Sequence, residues 1–138
     1  MAGASKIDNI VATGSKGTVE YAILDNGTSE ARDWLRNQTD AIKARFGVLF
    51  ERLVEFGTIN NDQQFRKLHG FEDVWEFKRN EHRLFCVQQG RRWLLTHYYQ
   101  KGHSKQHQSS SAARAETIAR EHLARERREI QAKKKGNK

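Results

Sequence analysis

Three strand-forming runs follow one another with almost no chain between them, over residues 73–79, 82–88 and 91–100. Asn80-Glu81 and Gln89-Gly90 are the only connections available. A parallel pairing needs a crossover of about a dozen residues or more, so these runs can only be antiparallel neighbours in a meander. Val74, Trp75 and Phe77 mark the first run, Leu84 to Val87 the second, and Trp93, Leu94, Leu95, Tyr98 and Tyr99 the third. The unbroken apolar stretches predict burial on both faces at the centre of the sheet.

Helical periodicity precedes the meander. Thr28 or Ser29 can cap a helix that begins at Glu30 and sets Ala31, Trp34 and Leu35 on one side. A second helix is predicted over residues 40–56, where Ile42, Phe46, Leu49, Phe50 and Leu53 share a face and Gly57 can end it. The two helices are expected to form a hairpin over one face of the sheet. Residues 19–24 read as a short first strand closed by the turn Asp25-Asn26-Gly27. After the meander, residues 102–111 read as a polar loop and 112–132 as an amphipathic helix with Ala115, Ile118, Ala119, His122, Leu123 and Ile130 in one stripe. The pairs Glu116–Arg120 and Glu121–Arg125 have the favourable orientation on it. The fold class is therefore α+β: a helical hairpin on a small antiparallel sheet, with a C-terminal helix. Residues 1–18 read as a flexible leader, 19–110 as the single domain, 111–132 as the helix and 133–138 as a basic tail.

Charge then narrows the function. Between Arg83 and Ala115 there are six Lys or Arg and three His but no Asp or Glu. Up to residue 90 the chain has 12 basic and 13 acidic residues; the last 48 carry 13 and 4, so the two parts are −1 and +9. A folded surface that gathers cations, imidazoles and tyrosines while excluding carboxylates suits a polyanion, nucleic acid above all. No apolar run approaches the ~20 residues of a membrane span, and the first residues lack the apolar segment of a secretory signal. A cytoplasmic protein is expected. The lone cysteine, Cys86, excludes an internal disulfide and a Cys-rich zinc site, and its apolar context suggests a buried, inert thiol. His103 and His107 are four apart, but two imidazoles in a Ser-rich segment make no convincing zinc site. No metal or cofactor is expected.

The run FRKLHGFEDVWEFKRNEHRLFCVQQGRRWLLTHYYQKGHSK, following a helix pair, resembles the RelE/ParE superfamily of toxins from toxin–antitoxin pairs, specifically its HigB-like, phage-associated branch. Lys67-Leu68, Val74-Trp75-Glu76-Phe77-Lys78, Arg83-Leu84-Phe85 and His97-Tyr98-Tyr99-Gln100-Lys101 fit that pattern in order, within a resemblance that covers about residues 20–125. The longer leader, Gln100 before Lys101, and a loop without Thr-Pro depart from it.

The resemblance implies an mRNA interferase that enters the ribosomal A site and cuts the codon there. The ribose 2′-OH would attack the adjacent phosphate, which needs a base, cations around the phosphorane and a proton donor for the leaving oxygen, but no metal. It implies His69 as the base and Arg83 facing the scissile phosphate, where a guanidinium binds phosphoryl oxygens bidentately. His69 can equally be a plain turn residue, and Arg83 a cross-strand partner of Glu76 or Glu81. Lys67 and Lys101 would neutralise neighbouring phosphates. Tyr98 and Tyr99, adjacent on a strand, face opposite sides, so one packs and the other meets substrate. His97 and His103 compete for the acid role. Arg79, Arg91, Arg92 and Lys105 complete the candidate RNA-binding set. The same resemblance implies an antitoxin partner, expected to carry a helix-turn-helix. A ParE-like gyrase inhibitor, a non-catalytic RNA- or ribosome-binding module and a phage structural protein are the alternatives.

Overall fold

A computed structural model describes residues 9–100 and 105–136, with side chains for residues 9–99 and 110–135. Strands β1 (Ile10–Gly14) and β2 (Gly17–Tyr21) form a hairpin, followed by helices α1 (Glu30–Arg36) and α2 (Asp40–Phe56). Strands β3 (Phe65–Lys67), β4 (Val74–Arg79), β5 (His82–Gln89) and β6 (Arg92–Gln100) come next, and α3 (Lys105–Gly136) closes the chain. The six strands make one sheet in the order β1-β2-β6-β5-β4-β3. The fold is α+β with a C-terminal helix, and the β4–β5–β6 meander forms as its tight connections require.

The sheet is mixed rather than purely antiparallel, because β2 lies parallel to β6. The expected strand over 19–24 is the second arm of a hairpin whose first arm, Ile10–Gly14, falls in the segment read as a leader; residues 1–8 lie outside the described residues. Ile10–Gly14 escapes a propensity reading because it is short and half small residues. Gly17 makes the parallel joint possible. Its φ is +149°, and a Cβ there would sit 2.0 Å from the Arg91 carbonyl oxygen, which accepts the Thr18 amide proton at 2.9 Å.

The helical hairpin covers one face. Ser29 caps α1 through the Arg32 amide, Thr39 caps α2 through the Ile42 amide, and Gly57 ends α2 in the left-handed region at φ +78°. Phe46, Leu49, Phe50 and Leu53 pack against Phe77, Leu84, Cys86 and Leu95. Phe50 meets Phe77 edge-on at 5.0 Å. Each such ring contributes about 1.5–3 kcal/mol through burial.

Helix α3 covers the other face and is longer than expected at both ends, taking in part of the segment read as a polar loop. Ala112, Ala115, Ile118, Ala119 and Leu123 lie over Phe85, Leu94 and Tyr99. The small side chains let the helix sit close, but they bury little area, and polar contacts supply much of its hold. Ile130, placed in the same stripe from sequence, is 53 % exposed because the helix has by then run past the sheet. Arg125 pairs with Glu129, and Glu121 instead accepts the Asp25 amide proton.

Candidate functional site

The β5–β6 register contains one irregularity that decides which tyrosine faces which way. Phe85 pairs with His97 but Cys86 pairs with Leu95, so Thr96 is an extra residue in β6. Its hydroxyl donates to the Phe85 carbonyl at 3.2 Å. Beyond this bulge the alternation of β6 is reversed. Tyr98 therefore joins the helical-hairpin face with Leu84, and Tyr99 joins the α3 face with Phe85. Without the bulge the two would be exchanged.

Tyr98 is half-buried and stacks on Trp34 of α1, with ring centroids 4.2 Å apart. Its hydroxyl lies 3.3 Å from Nδ1 of His82, diagonally across the β5–β6 pair. Burial, with the Glu81 charge second, raises the Tyr98 pKa, so the phenol holds its proton. Arg79, paired with His82 in the β4–β5 register, is half-buried on this side, and its Nε is buried without a hydrogen-bond partner. On the α3 side, Lys78, Arg83 and Tyr99 form a row across three strands. Adjacent members are about 4.8 Å apart in such a row. Arg83 is 7 % exposed, and its Nη1 donates to the Asn80 and His82 carbonyls at 2.7 and 3.0 Å. Those bonds hold the guanidinium at the β4–β5 turn. Arginine and tyrosine side chains from both faces thus converge on one end of the sheet, with His82 among them.

The remaining candidates are distributed differently. His69 is exposed on the turn between β3 and β4, in an open groove of about 460 Å³ lined by Lys67, Leu68, Gly70, Phe71 and Glu72. That turn adjoins the Val74–Val87 pair, four residues along from Lys78–Arg83, or about 13 Å along the strand. His69 and Arg83 are not brought together, and exposed Lys67 lies toward the His69 end. Arg91 and Arg92 are farther still, at the β5–β6 turn. Arg91 donates to the Ser15 and Lys16 carbonyls, tying two hairpin turns together. Arg92 is spent on carboxylates, as described below. His97 is 2 % exposed beneath α3 and stacked on Phe85. Burial, then the Arg114 charge, lowers its pKa to about 4, so it is a neutral interior ring and not a surface acid. Lys101 and His103 lie outside the described residues, as does the side chain of Lys105. Glu76 is buried and paired with Arg66 at 2.9 Å. Cys86 is fully buried, and burial drives its thiol pKa up, as the sequence suggested.

His82 was missed from sequence, where it served only as the start of a strand. The hairpin register could have placed it near β6, but the Thr96 bulge that turns Tyr98 toward it leaves no sequence signature.

At the opposite end, Glu20, His122 and Glu126 bring possible ligand atoms within 4.8 Å of one another. Two observations oppose a metal ion there. Arg92 already donates four hydrogen bonds of 2.8–3.0 Å to the two carboxylates. His122 Nδ1 accepts the Ile23 amide proton at 2.9 Å, so the neutral ring carries its hydrogen on Nε2, 3.3 Å from Glu126, and has no lone pair left to ligate. The cluster is a charge latch that fastens α3 to β2 and β6.

No described helix is long and apolar enough to cross a membrane. No curated protein and no solved structure matches the chain. The family model for phage-derived Gp49-like proteins (DUF891) matches residues 33–121, from α1 into α3, which is 89 of 138 residues. The match takes in the end of α1, all of α2, the whole meander and the first half of α3, and the chain belongs to this Gp49-like family, a RelE-type, toxin-like group.

Proposed function

We propose that the protein is the toxin of a toxin–antitoxin pair and acts as a metal-independent endoribonuclease on translated mRNA, in the manner of HigB-like interferases. The observation that carries this reading is the 3.3 Å contact between His82 Nδ1 and the Tyr98 hydroxyl at the sheet end that also holds Arg83. With Nδ1–H donating to Tyr98, His82 Nε2 is the base that takes the 2′-OH proton. The O2′–P bond forms, the P–O5′ bond breaks, and the Tyr98 phenol protonates the leaving 5′-oxygen. His82 restores the phenol proton through Nδ1, so one proton passes from the 2′- to the 5′-oxygen; the ring is left as its Nε2–H tautomer, and proton exchange with water returns it to the Nδ1–H form for the next turnover. Arg83, anchored on two carbonyls through Nη1, offers its remaining N–H groups to the phosphoryl oxygens, and Arg79 adds charge around it; Lys101 keeps the phosphate-neutralising role that the resemblance implies. His69 and Lys67 lie on the path of the flanking strand rather than at the reacting phosphate.

The family also implies an antitoxin, with a helix-turn-helix, that neutralises by covering this end. The test uses purified protein, a synthetic mRNA and programmed ribosomes, with end-group analysis of the RNA. Codon-specific cuts that leave 2′,3′-cyclic phosphate and 5′-OH ends, lost in His82→Gln and in Tyr98→Phe, are expected. Intact RNA at stoichiometric protein, with or without ribosomes, overturns the reading.

A further inference from the structure

We infer that the distal part of α3 is an RNA-binding arm that grips the phosphodiester backbone outside the reacting centre; the choice of RNA rests on the function proposed above. The helix has 32 residues, hence a length of about 48 Å. Among the described residues its last link to the body is the Arg128–Asp25 ion pair, and every residue from Arg127 to Lys135 is exposed. That stretch has five cations and one acid, Glu129.

The charges are also sorted by face. Glu126 turns inward to Arg92, and Glu129 pairs with Arg125. Arg120, Arg127 and Lys134 recur every seven residues, so they lie about 10.5 Å apart on one stripe that drifts only about 20° per step. The stripe points away from docked Ile118 and His122, and Lys135 adds an exposed cation about 100° round the helix from Lys134. None of these four cations makes a hydrogen bond or ion pair among the described residues. Stabilisation of the helix dipole accounts for lysines in the last turn. It does not account for Arg120 and Arg127, which lie about four and two turns before Lys134 on the same stripe.

The chemistry of the stripe selects its partner. Its other members are Glu116, Thr117, Ala124 and Gln131, and Ile130, the one exposed large apolar residue among the described side chains of α3, stands alone beside it, three residues after Arg127 and four before Lys134. A protein partner needs an apolar or aromatic centre to desolvate. A phosphate backbone is bound by charge alone, through the release of counterions.

The experiment measures binding of full-length protein to a labelled 2′-O-methyl RNA hairpin, which keeps its phosphates and cannot be cut. The variant Arg120→Gln/Arg127→Gln/Lys134→Gln/Lys135→Gln is expected to bind at least tenfold more weakly at physiological salt. Its slope of log Kobs against log salt should be shallower by about 3, since each lost phosphate contact removes about 0.7–0.9. A chain ended at Ile130 is the second variant; it removes Lys134 and Lys135 of the four and should flatten the slope by about 1.5. Lys43→Gln/Arg45→Gln, which removes exposed charge from α2, should leave it unchanged. An unchanged slope in the helix variants overturns the inference, as does an equal loss in the α2 control. Tighter binding of a DNA hairpin or of polyglutamate than of RNA also overturns it. Because the hairpin cannot be cleaved, the arm can stand while the nuclease reading fails, or fall while cleavage persists.

Discussion

Replacing Arg92 with Met tests the charge latch, because Met keeps most of the side-chain volume and removes every donor. Arg92 has four hydrogen bonds to Glu20 and Glu126. Its side chain is 29 % exposed, against 7 % and 17 % for the two carboxylates. Removing one partner of a fully buried pair costs about 3–5 kcal/mol. Partial exposure reduces that here to about 2–3 kcal/mol at neutral pH. The pH dependence is the sharper signature. Burial pushes Glu126 up, but hydrogen bonds from His122 and Arg92 outweigh it and bring the carboxyl from its ordinary 4.5 to about 2. Glu20 is lowered too, as Arg92 and Thr18 overcome its burial. A depressed carboxyl stabilises above its unfolded pKa and loses that contribution as pH falls from about 4.5 toward 2. For Glu126 the full displacement corresponds to about 3 kcal/mol, and solvent screening roughly halves it.

In Arg92→Met the sign is reversed. Two carboxylates then face each other without the guanidinium, their pKa values rise, and protonation relieves the strain as pH falls. Urea unfolding of both proteins should therefore give a gap of about 2–3 kcal/mol at neutral pH that narrows to about 1 kcal/mol or less near pH 4. A gap below about 0.5 kcal/mol at neutral pH, or one that does not narrow in acid, refutes the latch.

Other consequences follow from single residues. His82→Gln and Tyr98→Phe should each lower the cleavage rate by about 10²–10⁴ without changing unfolding by more than about 1 kcal/mol, while His69→Ala should leave the rate within a few-fold; single-turnover assays on programmed ribosomes decide this. Gly17→Ala forces a Cβ against the Arg91 carbonyl and should cost more than about 2 kcal/mol, read as a fall in the urea midpoint. Cys86 should resist alkylation in the native protein and react only on unfolding, since the thiol is fully buried and its pKa is raised; mass spectrometry after a maleimide pulse at graded urea shows when it opens.

The parts of the fold legible in the sequence were those where local signals agree. The meander follows from runs too closely spaced for any other pairing, and α2 from apolar spacing between Thr39 and Gly57. The β1–β2 hairpin was illegible because its partner is β6, more than seventy residues away, and its glycines answer to distant backbone, Gly17 to Arg91 and Gly14 to Val54. The candidate site was half legible. Arg83, Tyr98 and Tyr99 do share one end of the sheet, but Thr96 sets their faces, and a one-residue bulge has no periodic trace. His69 looked apt by sequence position, yet four residues of strand separate its turn from Arg83. Arg92 and His97 looked like RNA ligands because the basic stretch excludes acids locally. Glu20 and Glu126 reach Arg92 from distant elements, and α3 buries His97.

The most direct test is transcript 5′-end mapping in cells shortly after induction, beside the same chain carrying His82→Gln and Arg83→Ala. The account predicts new 5′-hydroxyl ends clustered within translated codons and absent from the double variant. Growth arrest with every transcript intact would contradict it.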